Sequence, residues 1–319
     1  MKQAVAFFRL IRWQNLVFIA MTQCLFYCFI IFPELSKTSY FYQTGAFSIS
    51  LMLWLVLASM MIAAAGYIIN DYFDINIDEV NKPEKMVVQK FISRRHAILL
   101  HLTFTFIGLL ITGYVAWRTS IFIFIGNVIC AILLWAYSTN FKRRLLSGNV
   151  MIAALTAWTI LVLYISLNGY SDHFQNDFII RQTMQKILRY VLIYAGFAFI
   201  VSLIREVVKD MEDVEGDRRY QCNTMPIAWG IHTSKVFTGV WIVVLFSAII
   251  IIQLYVLQKG WYISVLYCVA FILTPMMVFS KKLFIAKDKE QFAEISKWIK
   301  VVMLTGILSL VVIGYHLSQ

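Results

Sequence analysis

Charged residues are scarce in this chain. Only 14% of its 319 residues are charged, whereas 61% are hydrophobic, and the mean hydropathy is +0.75. A soluble protein of this length needs more polar surface than that, so the composition argues against a large soluble protein with many buried helices. Runs long enough to cross a hydrocarbon layer, about 17–25 residues each, occur nine times. The predicted spans are residues 16–32, 46–69, 97–117, 121–138, 149–169, 188–204, 236–258, 261–280 and 298–317.

The apolar runs are continuous rather than alternating, which favours helices over a β-barrel, because a helix satisfies its own backbone polar groups within the membrane. No low-complexity tract or long linker divides the chain. The sequence therefore predicts an all-α, multi-pass membrane helix bundle of about nine transmembrane helices, with residues 1–319 forming a single domain.

Cysteine and histidine are too few and too scattered for a disulfide framework or a zinc site. Of the five cysteines, Cys222 alone lies outside the predicted spans, on the side where thiols stay reduced. Cys24 and Cys28 are one helical turn apart, but two thiols without further ligands make a poor metal site. The five histidines show no ligand spacing either.

The basic residues predict the orientation of the bundle. With the N-terminus inside, 22 of the 28 Lys and Arg residues fall on the cytoplasmic side and 6 on the other, as the positive-inside rule requires. The net charge of +11 suits a surface that meets anionic lipid headgroups. Nucleic-acid binding would explain basicity too, but the charge is spread over several membrane-edge loops. We expect a multi-pass protein of the cell membrane with membrane lipids as its surroundings and no nucleic-acid partner.

Acidic residues are also few, yet eleven of the seventeen lie in two short stretches. The stretches NDYFDINIDEVNKPEK (70–85) and REVVKDMEDVEGDRR (205–219) follow the second and sixth predicted spans, so both open at the same membrane edge. Their aspartates repeat at i, i+3 and i+7, which places each triplet on one face of a helix. The first triplet is Asp71, Asp74 and Asp78, and the second is Asp210, Asp213 and Asp217.

Carboxylates at such spacing repel one another, and near lipid the repulsion grows. One interpretation is a pair of solvated loops whose acids pair with nearby lysines or arginines. The matched spacing favours the other, in which Mg²⁺ is the counter-ion, because Mg²⁺ prefers oxygen ligands and is often shared with substrate phosphates. Asn70 adds an amide on the same face. Two such columns predict a diphosphate that bridges them, and a membrane location suggests a lipid tail such as an isoprenyl chain.

These residues resemble a known family. The pattern N70-D71-x-x-D74-x-x-x-D78 is similar to the NDxxDxxxD signature of the UbiA superfamily of intramembrane prenyltransferases, and D213-x-x-x-D217 is similar to its DxxxD signature. AYSTNFKRR (136–144) resembles the Tyr-then-Lys pattern that ends the family's fourth helix. The resemblance covers nearly the whole chain and implies a UbiA-like fold, with a prenyl diphosphate and a lipophilic acceptor as partners and no obligate protein partner.

The resemblance also implies roles for individual residues. One Mg²⁺ would be held by Asp71, Asp74 and Asp78, and a second by Asp210, Asp213 and Asp217. The residues implied to be catalytic are Asp71, Asp74, Tyr137, Lys142, Asp213 and Asp217. Those implied to bind substrate are Asn15, Asn70, Arg143, Arg205, Glu206 and Lys209, with Glu206 or a motif aspartate as a possible base.

The choice of acceptor is less determined. The segment 204–230 is similar to the digeranylgeranylglyceryl phosphate synthase branch, which joins a geranylgeranyl chain to geranylgeranylglyceryl phosphate, but the quinone and haem O branches share parts of it. After Pro83 this chain reads EKMVVQKFIS, where relatives usually continue with an Arg-Pro-x-x-x-Gly run. The alternatives outside the family are an ion or lipid transporter and a scaffold. A transporter would need polar residues distributed through the membrane, and a scaffold would not need matched aspartates.

Overall fold

The computed structural model describes residues 2–38, 48–171 and 178–317, and within them nine helices are long and apolar enough to cross a membrane. The prediction of an all-α, UbiA-like membrane bundle is confirmed. Residues 46 and 47 of the second predicted span lie outside the described part. The spanning helices are α2 (Trp13–Leu35), α3 (Ile49–Phe73), α5 (Arg94–Arg118), α6 (Ile121–Thr139), α7 (Ser147–Ser171), α8 (Phe178–Glu212), α11 (Gly230–Gln258), α12 (Tyr262–Ile285) and α13 (Lys289–Leu317).

Four shorter helices lie between the spans: α1 (Lys2–Leu10), α4 (Ile75–Asn81), α9 (Val214–Arg219) and α10 (Met225–Ala228). Within the described residues the β-structure is limited to one isolated bridge between Val88 and Ile92. Because α4 follows α3 and α9 follows α8, each acidic stretch begins in a spanning helix and ends in a short one.

The outer surface of the bundle is apolar. The side chains of four large apolar residues are each more than 60% exposed: Trp117, Phe122, Ile251 and Leu266. Such exposure is unfavourable in water but not in the hydrocarbon of a membrane. The low charge content of the sequence therefore reflects a surface that faces hydrocarbon. The chain is an integral multi-pass membrane protein.

The two motif-bearing helices occupy the centre of the packing. Helix α3 packs against α2, α5 and α6, whereas α8 packs against α7, α11 and α13. The ends of the two groups are joined where α4 contacts α9. The aspartate stretches thus meet at one end of the bundle, although they are more than 120 residues apart in sequence.

Helix α8 is much longer than the predicted span 188–204. Its 35 residues extend over roughly 52 Å at 1.5 Å per residue, well beyond a hydrocarbon layer of about 30 Å. The apolar run located the membrane-crossing part, but the helix begins ten residues earlier and continues for two further turns, in which Glu206 forms ion pairs with Arg205 and Lys209. This extension carries Asp210 into the site described next.

Candidate active site

A cavity of about 1280 Å³ opens at the end of the bundle where the two acidic stretches meet. Its mouth is lined by residues of both stretches, and its largely apolar interior continues between α2, α3, α6, α7, α8 and α13. Trp158 and Leu310 line the deep part, where Gly306 and Gly66 allow neighbouring side chains to approach. The cavity therefore joins a charged mouth to an apolar interior.

Both acidic stretches break their helix at the middle aspartate. Asp74 lies between α3 and α4 with φ −89° and ψ 0°, and Asp213 lies between α8 and α9 with φ −101° and ψ 8°. These angles fall in the bridge region, which many active-site residues adopt. The backbone hydrogen bonds nevertheless continue across each break, from Asp74 N to Asn70 O (3.0 Å) and from Asp213 N to Lys209 O (2.9 Å). The sequence predicted continuous helices, whereas the structure shows the same kink twice.

The two stretches are locked together by Asn81. Its Oδ1 accepts a hydrogen bond from Gly216 N (2.8 Å), and its Nδ2 donates to the Asp213 carbonyl (3.1 Å). Lys82, the next residue, donates from Nζ to Asp213 Oδ2 at 2.8 Å and lies 3.3 Å from Glu212 Oε1. Burial would lower the pKa of Lys82, but the two carboxylates outweigh it and raise that pKa. The first stretch thus holds the second in register.

The contact between Asn81 and Gly216 predicts a matched pair of glycine variants. A Cβ on Gly216 would lie 2.5 Å from the Asn81 side chain, so Gly216→Ala should cost about 1–3 kcal/mol in stability through overpacking. Gly196 has open space at the same position, so Gly196→Ala should be neutral or stabilising, because alanine favours helix. Thermal unfolding of the purified variants measures both. Equal midpoints for the two variants would contradict the locking role.

Lys142 stands between the two stretches. It donates a hydrogen bond to Asp74 Oδ2, and Asp78 and Asp217 also act on its charge. Burial disfavours the ammonium, but these carboxylates outweigh burial and raise the pKa of Lys142. Burial first, and neighbouring carboxylates second, raise the pKa of Asp78 and of Asp217 to about 6. The carboxylates at the mouth of the cavity are therefore partly desolvated and lie close to one another.

Arg12 binds the remaining aspartate of the first triplet. Its Nη2 lies 2.8 Å from Asp71 Oδ1, and its guanidinium lies over the Tyr67 ring at 5.0 Å. Asn15 is within hydrogen-bonding range of the Tyr67 hydroxyl. Arg12 has φ 48° and ψ 53°, a left-handed conformation that costs a non-glycine residue about 1–2 kcal/mol. This strained backbone conformation of Arg12 lies in the turn between α1 and α2, and the guanidinium of Arg12 reaches into the site.

On α8 the charged residues form a second set of ion pairs. Glu206 accepts from Arg205 Nη1 at 3.0 Å and from Lys209 Nζ at 3.0 Å. Asp210, one turn further, accepts a hydrogen bond from Asn149 Nδ2 at 2.7 Å, which ties it to α7. Tyr137 lies close to both Lys142 and Glu206.

The structure brings all but one of the predicted site residues to this cavity. Arg143 is the exception, because it is exposed and its carbonyl accepts a hydrogen bond from Asn223 N at 2.8 Å. The predicted residues that line the cavity are Asn15, Asn70, Asp71, Asp74, Asp78, Tyr137, Lys142, Arg205, Glu206, Lys209, Asp210, Asp213 and Asp217.

The residues present fit a hard cation in their chemistry. Among the described residues no three His, Cys, Asp or Glu side chains are already grouped as a metal site, since Lys142, Arg12 and Lys82 engage the aspartates. However, Asn70 Oδ1 and Asp213 Oδ1, one from each stretch, are buried and accept no hydrogen bond from the described part of the chain. Such acceptors are costly unless a donor or cation satisfies them. The oxygen-only donor set matches Mg²⁺ rather than zinc or copper.

Several residues of the site were not predicted as site residues from the sequence. Arg12, Tyr67, Asn81, Lys82 and Asn149 line the cavity or bind residues that do. Asn81 and Lys82 directly follow the first triplet, which is the one local signal available. No motif in the sequence marks Arg12, Tyr67 or Asn149 as a site residue. They come close to the cavity only because α2, α3 and α7 pack around it.

The loop after Pro83, where the sequence departs from the family pattern, packs through apolar contacts. Val87 and Val88 are buried, and they belong to a cluster with Ala6 and Leu10 of α1. Arg9 Nη1 donates to the Glu84 carbonyl at 3.4 Å. The loop and α1 thus cover one side of the mouth together.

Comparison with known proteins places the chain among prenyltransferases. A model described as the UbiA prenyltransferase family matches residues 35–304. A protein of Methanosphaera stadtmanae named digeranylgeranylglyceryl phosphate synthase is 27% identical over 260 residues, covering 80% of this chain and 86% of the relative.

Two solved structures share the fold. A structure described as that of digeranylgeranylglyceryl phosphate synthase in membranes aligns with 98% of this chain and 99% of its own, with a TM-score of 0.63 and 22% identity. A UbiA homolog from Archaeoglobus fulgidus bound to GPP and Mg²⁺ aligns with 96% of this chain and 99% of its own, with a TM-score of 0.52 and 15% identity. At these identities the likeness supports the architecture.

Proposed function

The chain belongs to the UbiA prenyltransferase family, and from this premise we propose that it transfers a geranylgeranyl group from its diphosphate to geranylgeranylglyceryl phosphate with the help of Mg²⁺. The chemistry of the cavity supports the reaction class, and the names of the relatives support the acceptor. We further propose that the site faces the cytoplasm from the cell membrane, because most basic residues lie on that side of the bundle.

One observation carries the proposal. Two aspartate stretches that are distant in sequence close around a single charged mouth, with Lys142 between them, and this mouth opens into an apolar interior. A prenyl diphosphate has the same division, with a polyanionic head and a hydrocarbon tail. A binding site for a soluble nucleotide would not need the apolar extension.

The chain's own residues would act mainly on the leaving group. Lys142 would contact the diphosphate oxygens, and its fixed charge would favour the more negative state that develops as the carbon–oxygen bond breaks. Tyr137, which lies near Lys142, would orient the same oxygens. The apolar interior would hold the prenyl chain away from water, so that the allylic cation meets the acceptor rather than water.

Asp71, Asp74 and Asp78 on one side, and Asp210, Asp213 and Asp217 on the other, are the residues that would hold Mg²⁺. When bound there, Mg²⁺ supplies positive charge to the diphosphate and so stabilises its departure. Asn70 Oδ1 and Asp213 Oδ1, the acceptors without partners, are the atoms best placed to gain from such a cation.

The decisive test presents the purified protein and Mg²⁺ with geranylgeranyl diphosphate and a panel of acceptors, and identifies products by mass. We expect a product with two geranylgeranyl chains on glycerol phosphate. Transfer to an aromatic acceptor instead would indicate a quinone-type enzyme, and farnesyl transfer to haem would indicate a haem O-type enzyme. Ion flux in liposomes without diphosphate release would overturn the proposal in favour of transport.

A pair of adjacent basic residues gives a sharper test of the mouth. Lys142→Gln should lower kcat by about 10²-fold, because it removes a fixed charge from the leaving group. Arg143→Gln should change kcat by less than about 3-fold, since that side chain is exposed and outside the cavity wall. Steady-state release of diphosphate measures both variants. Equal losses would show that the loop's overall charge matters rather than the position of Lys142.

A further inference from the structure

We propose that Arg12, Arg205 and Lys209 form a second anion site beside the diphosphate mouth, which binds a phosphate monoester on the lipid acceptor. We call these three residues the basic trio. The inference rests on the proposed function and deepens it, because it names the headgroup chemistry that the acceptor must carry.

The three cations of the trio lie close together. Their ion pairs involve two carboxylates, Asp71 for Arg12 and Glu206 for both Arg205 and Lys209. Asp74 and Asp210 also act on Arg12 and Lys209, but each accepts a hydrogen bond from another residue, Lys142 and Asn149 respectively. Arg12, Arg205 and Lys82 all act on the Lys209 charge with the same sign, so the cations are close enough to repel one another. Clustered cations in a largely enclosed site are costly unless an anion balances them.

One donor of the trio lacks an acceptor. Arg205 Nε is buried and donates to no atom of the described residues, although Nη1 binds Glu206. A buried donor without a partner costs free energy that a phosphate oxygen would recover. Guanidinium groups bind phosphate through paired hydrogen bonds, so a second acceptor at Arg205 matches a phosphate better than a neutral alcohol.

The trio is distinct from the diphosphate mouth in its pairing. Lys142 binds Asp74, and Lys82 binds Asp213 and Glu212, so these two lysines bridge the aspartate stretches. The ion pairs of Arg205 and Lys209 are instead confined to Glu206, and only Arg12 reaches an aspartate of the first stretch. Two sets of cations around one cavity suit a reaction with two anionic substrates.

The strain at Arg12 points to the same site. An arginine in the left-handed backbone conformation is uncommon. The free-energy cost of that conformation is tolerated only where the surrounding structure enforces it. Here the turn aims the guanidinium over Tyr67, and Tyr67 also lies close to Arg205 and Glu206. The turn before α2 thus adds a cation from the N-terminal segment to a charged cluster on α8.

The surroundings of Arg12 favour a lipid over a free phosphate ester. Val5, Phe8 and Trp13 line the cavity beside Arg12, and each is about half exposed or more. Exposed apolar residues next to basic ones are typical of a membrane interface, where the phosphate of a lipid lies level with arginine side chains. A lipid acceptor could keep its phosphate at the trio while its chain runs along α2.

The test compares two acceptors that differ only in the phosphate, geranylgeranylglyceryl phosphate and geranylgeranylglycerol, with the full chain in nanodiscs. We expect the ratio of their kcat/KM values to favour the phosphate in the wild type. Arg205→Gln and Lys209→Gln should lower this ratio by about 10–100-fold, the scale of a lost charge-assisted hydrogen bond. The KM for geranylgeranyl diphosphate should shift less than that for the acceptor. An unchanged ratio, or a larger shift for the diphosphate, would overturn the inference.

Two further variants control for folding and for general charge. Lys209→Arg keeps the cation and should retain the ratio. Arg219→Gln removes an exposed charge from the same end of the bundle without touching the cavity, and it should not change the ratio. Thermal unfolding identifies any variant that fails to fold, and Arg205→Lys then provides the milder substitution.

A binding measurement separates this inference from the proposed function. Without Mg²⁺ or diphosphate, the wild type should bind the phosphate lipid at least about 10-fold more tightly than the alcohol, and Arg205→Gln should remove the difference. Tight binding without any transfer would overturn the proposed function and support the site. Transfer without a headgroup preference in binding would overturn the site. Glycerol phosphate that competes as well as the lipid would show that a free ester, not a lipid, is the ligand, and would overturn the lipid assignment.

Discussion

Asp74→Ala should reduce Mg²⁺-dependent prenyl transfer by about 10²–10³-fold or more while the protein remains folded. Asp74 is buried at the kink between α3 and α4, where it accepts hydrogen bonds from Asn70 Nδ2 (2.6 Å) and from Lys142. Its removal takes away a proposed cation ligand and also leaves Lys142 without its partner. Both losses act on the departing diphosphate, so kcat should fall by a larger factor than the KM for the substrate changes.

The matched control lies five residues further along the same stretch. Glu79 carries the same charge, but it is exposed and lies outside the cavity wall, so Glu79→Ala should keep nearly full activity. Single-turnover kinetics at saturating Mg²⁺ compare the two variants. Wild-type turnover by Asp74→Ala would contradict the proposal that the diphosphate binds at the mouth of the cavity.

Asp213→Ala should cause a loss of similar size, although its contacts differ. Asp213 Oδ2 binds Lys82, whereas Oδ1 is buried without a hydrogen-bond partner in the described part of the chain. The alanine variant removes that unsatisfied oxygen and leaves Lys82 paired with Glu212 alone. It keeps the backbone carbonyl that Asn81 binds, so the contact between the two stretches should survive. We therefore expect a folded protein with about 10²–10³-fold lower turnover.

Glu215 offers the comparison for this variant, because it lies in the second stretch, is exposed and does not line the cavity. Glu215→Ala should leave turnover within about 3-fold of the wild type. If the two alanine variants lost activity equally, the acidic stretch would act through its total charge rather than through a defined site. A titration of Mg²⁺ against turnover would show whether Asp213→Ala also weakens metal dependence.

The fold class could be predicted from the sequence because it depends on properties of each span by itself. Each membrane span has to bury about 20 apolar residues, and every helix satisfies its own backbone, so hydropathy alone identifies the spans. The two aspartate triplets were also local, since the spacing of Asp71, Asp74 and Asp78 can be read in eight residues. The repeated spacing then led to the UbiA family, and the family model confirms it.

Helix ends and the kinks at Asp74 and Asp213 could not be predicted in this way. Hydropathy locates the part of α8 that crosses lipid, but not the further turns outside it, in which Glu206 forms ion pairs with Arg205 and Lys209. The contacts of Asn81 and Lys82 with the second stretch likewise leave no periodic pattern in the sequence. Sequence spacing therefore predicted which aspartates share a face, and not how each face bends.

By itself, the sequence determined a membrane bundle and two acidic stretches whose aspartates repeat at i, i+3 and i+7. Only the tertiary structure decided that the stretches close around one cavity, that Arg143 lies outside it and that Arg12 reaches in from the chain's start. The reason is physical. Lipid selects apolar helices residue by residue. The aspartates Asp71, Asp74, Asp210 and Asp213 instead bind partners on other segments of the chain, and those partners become neighbours only when the helices pack.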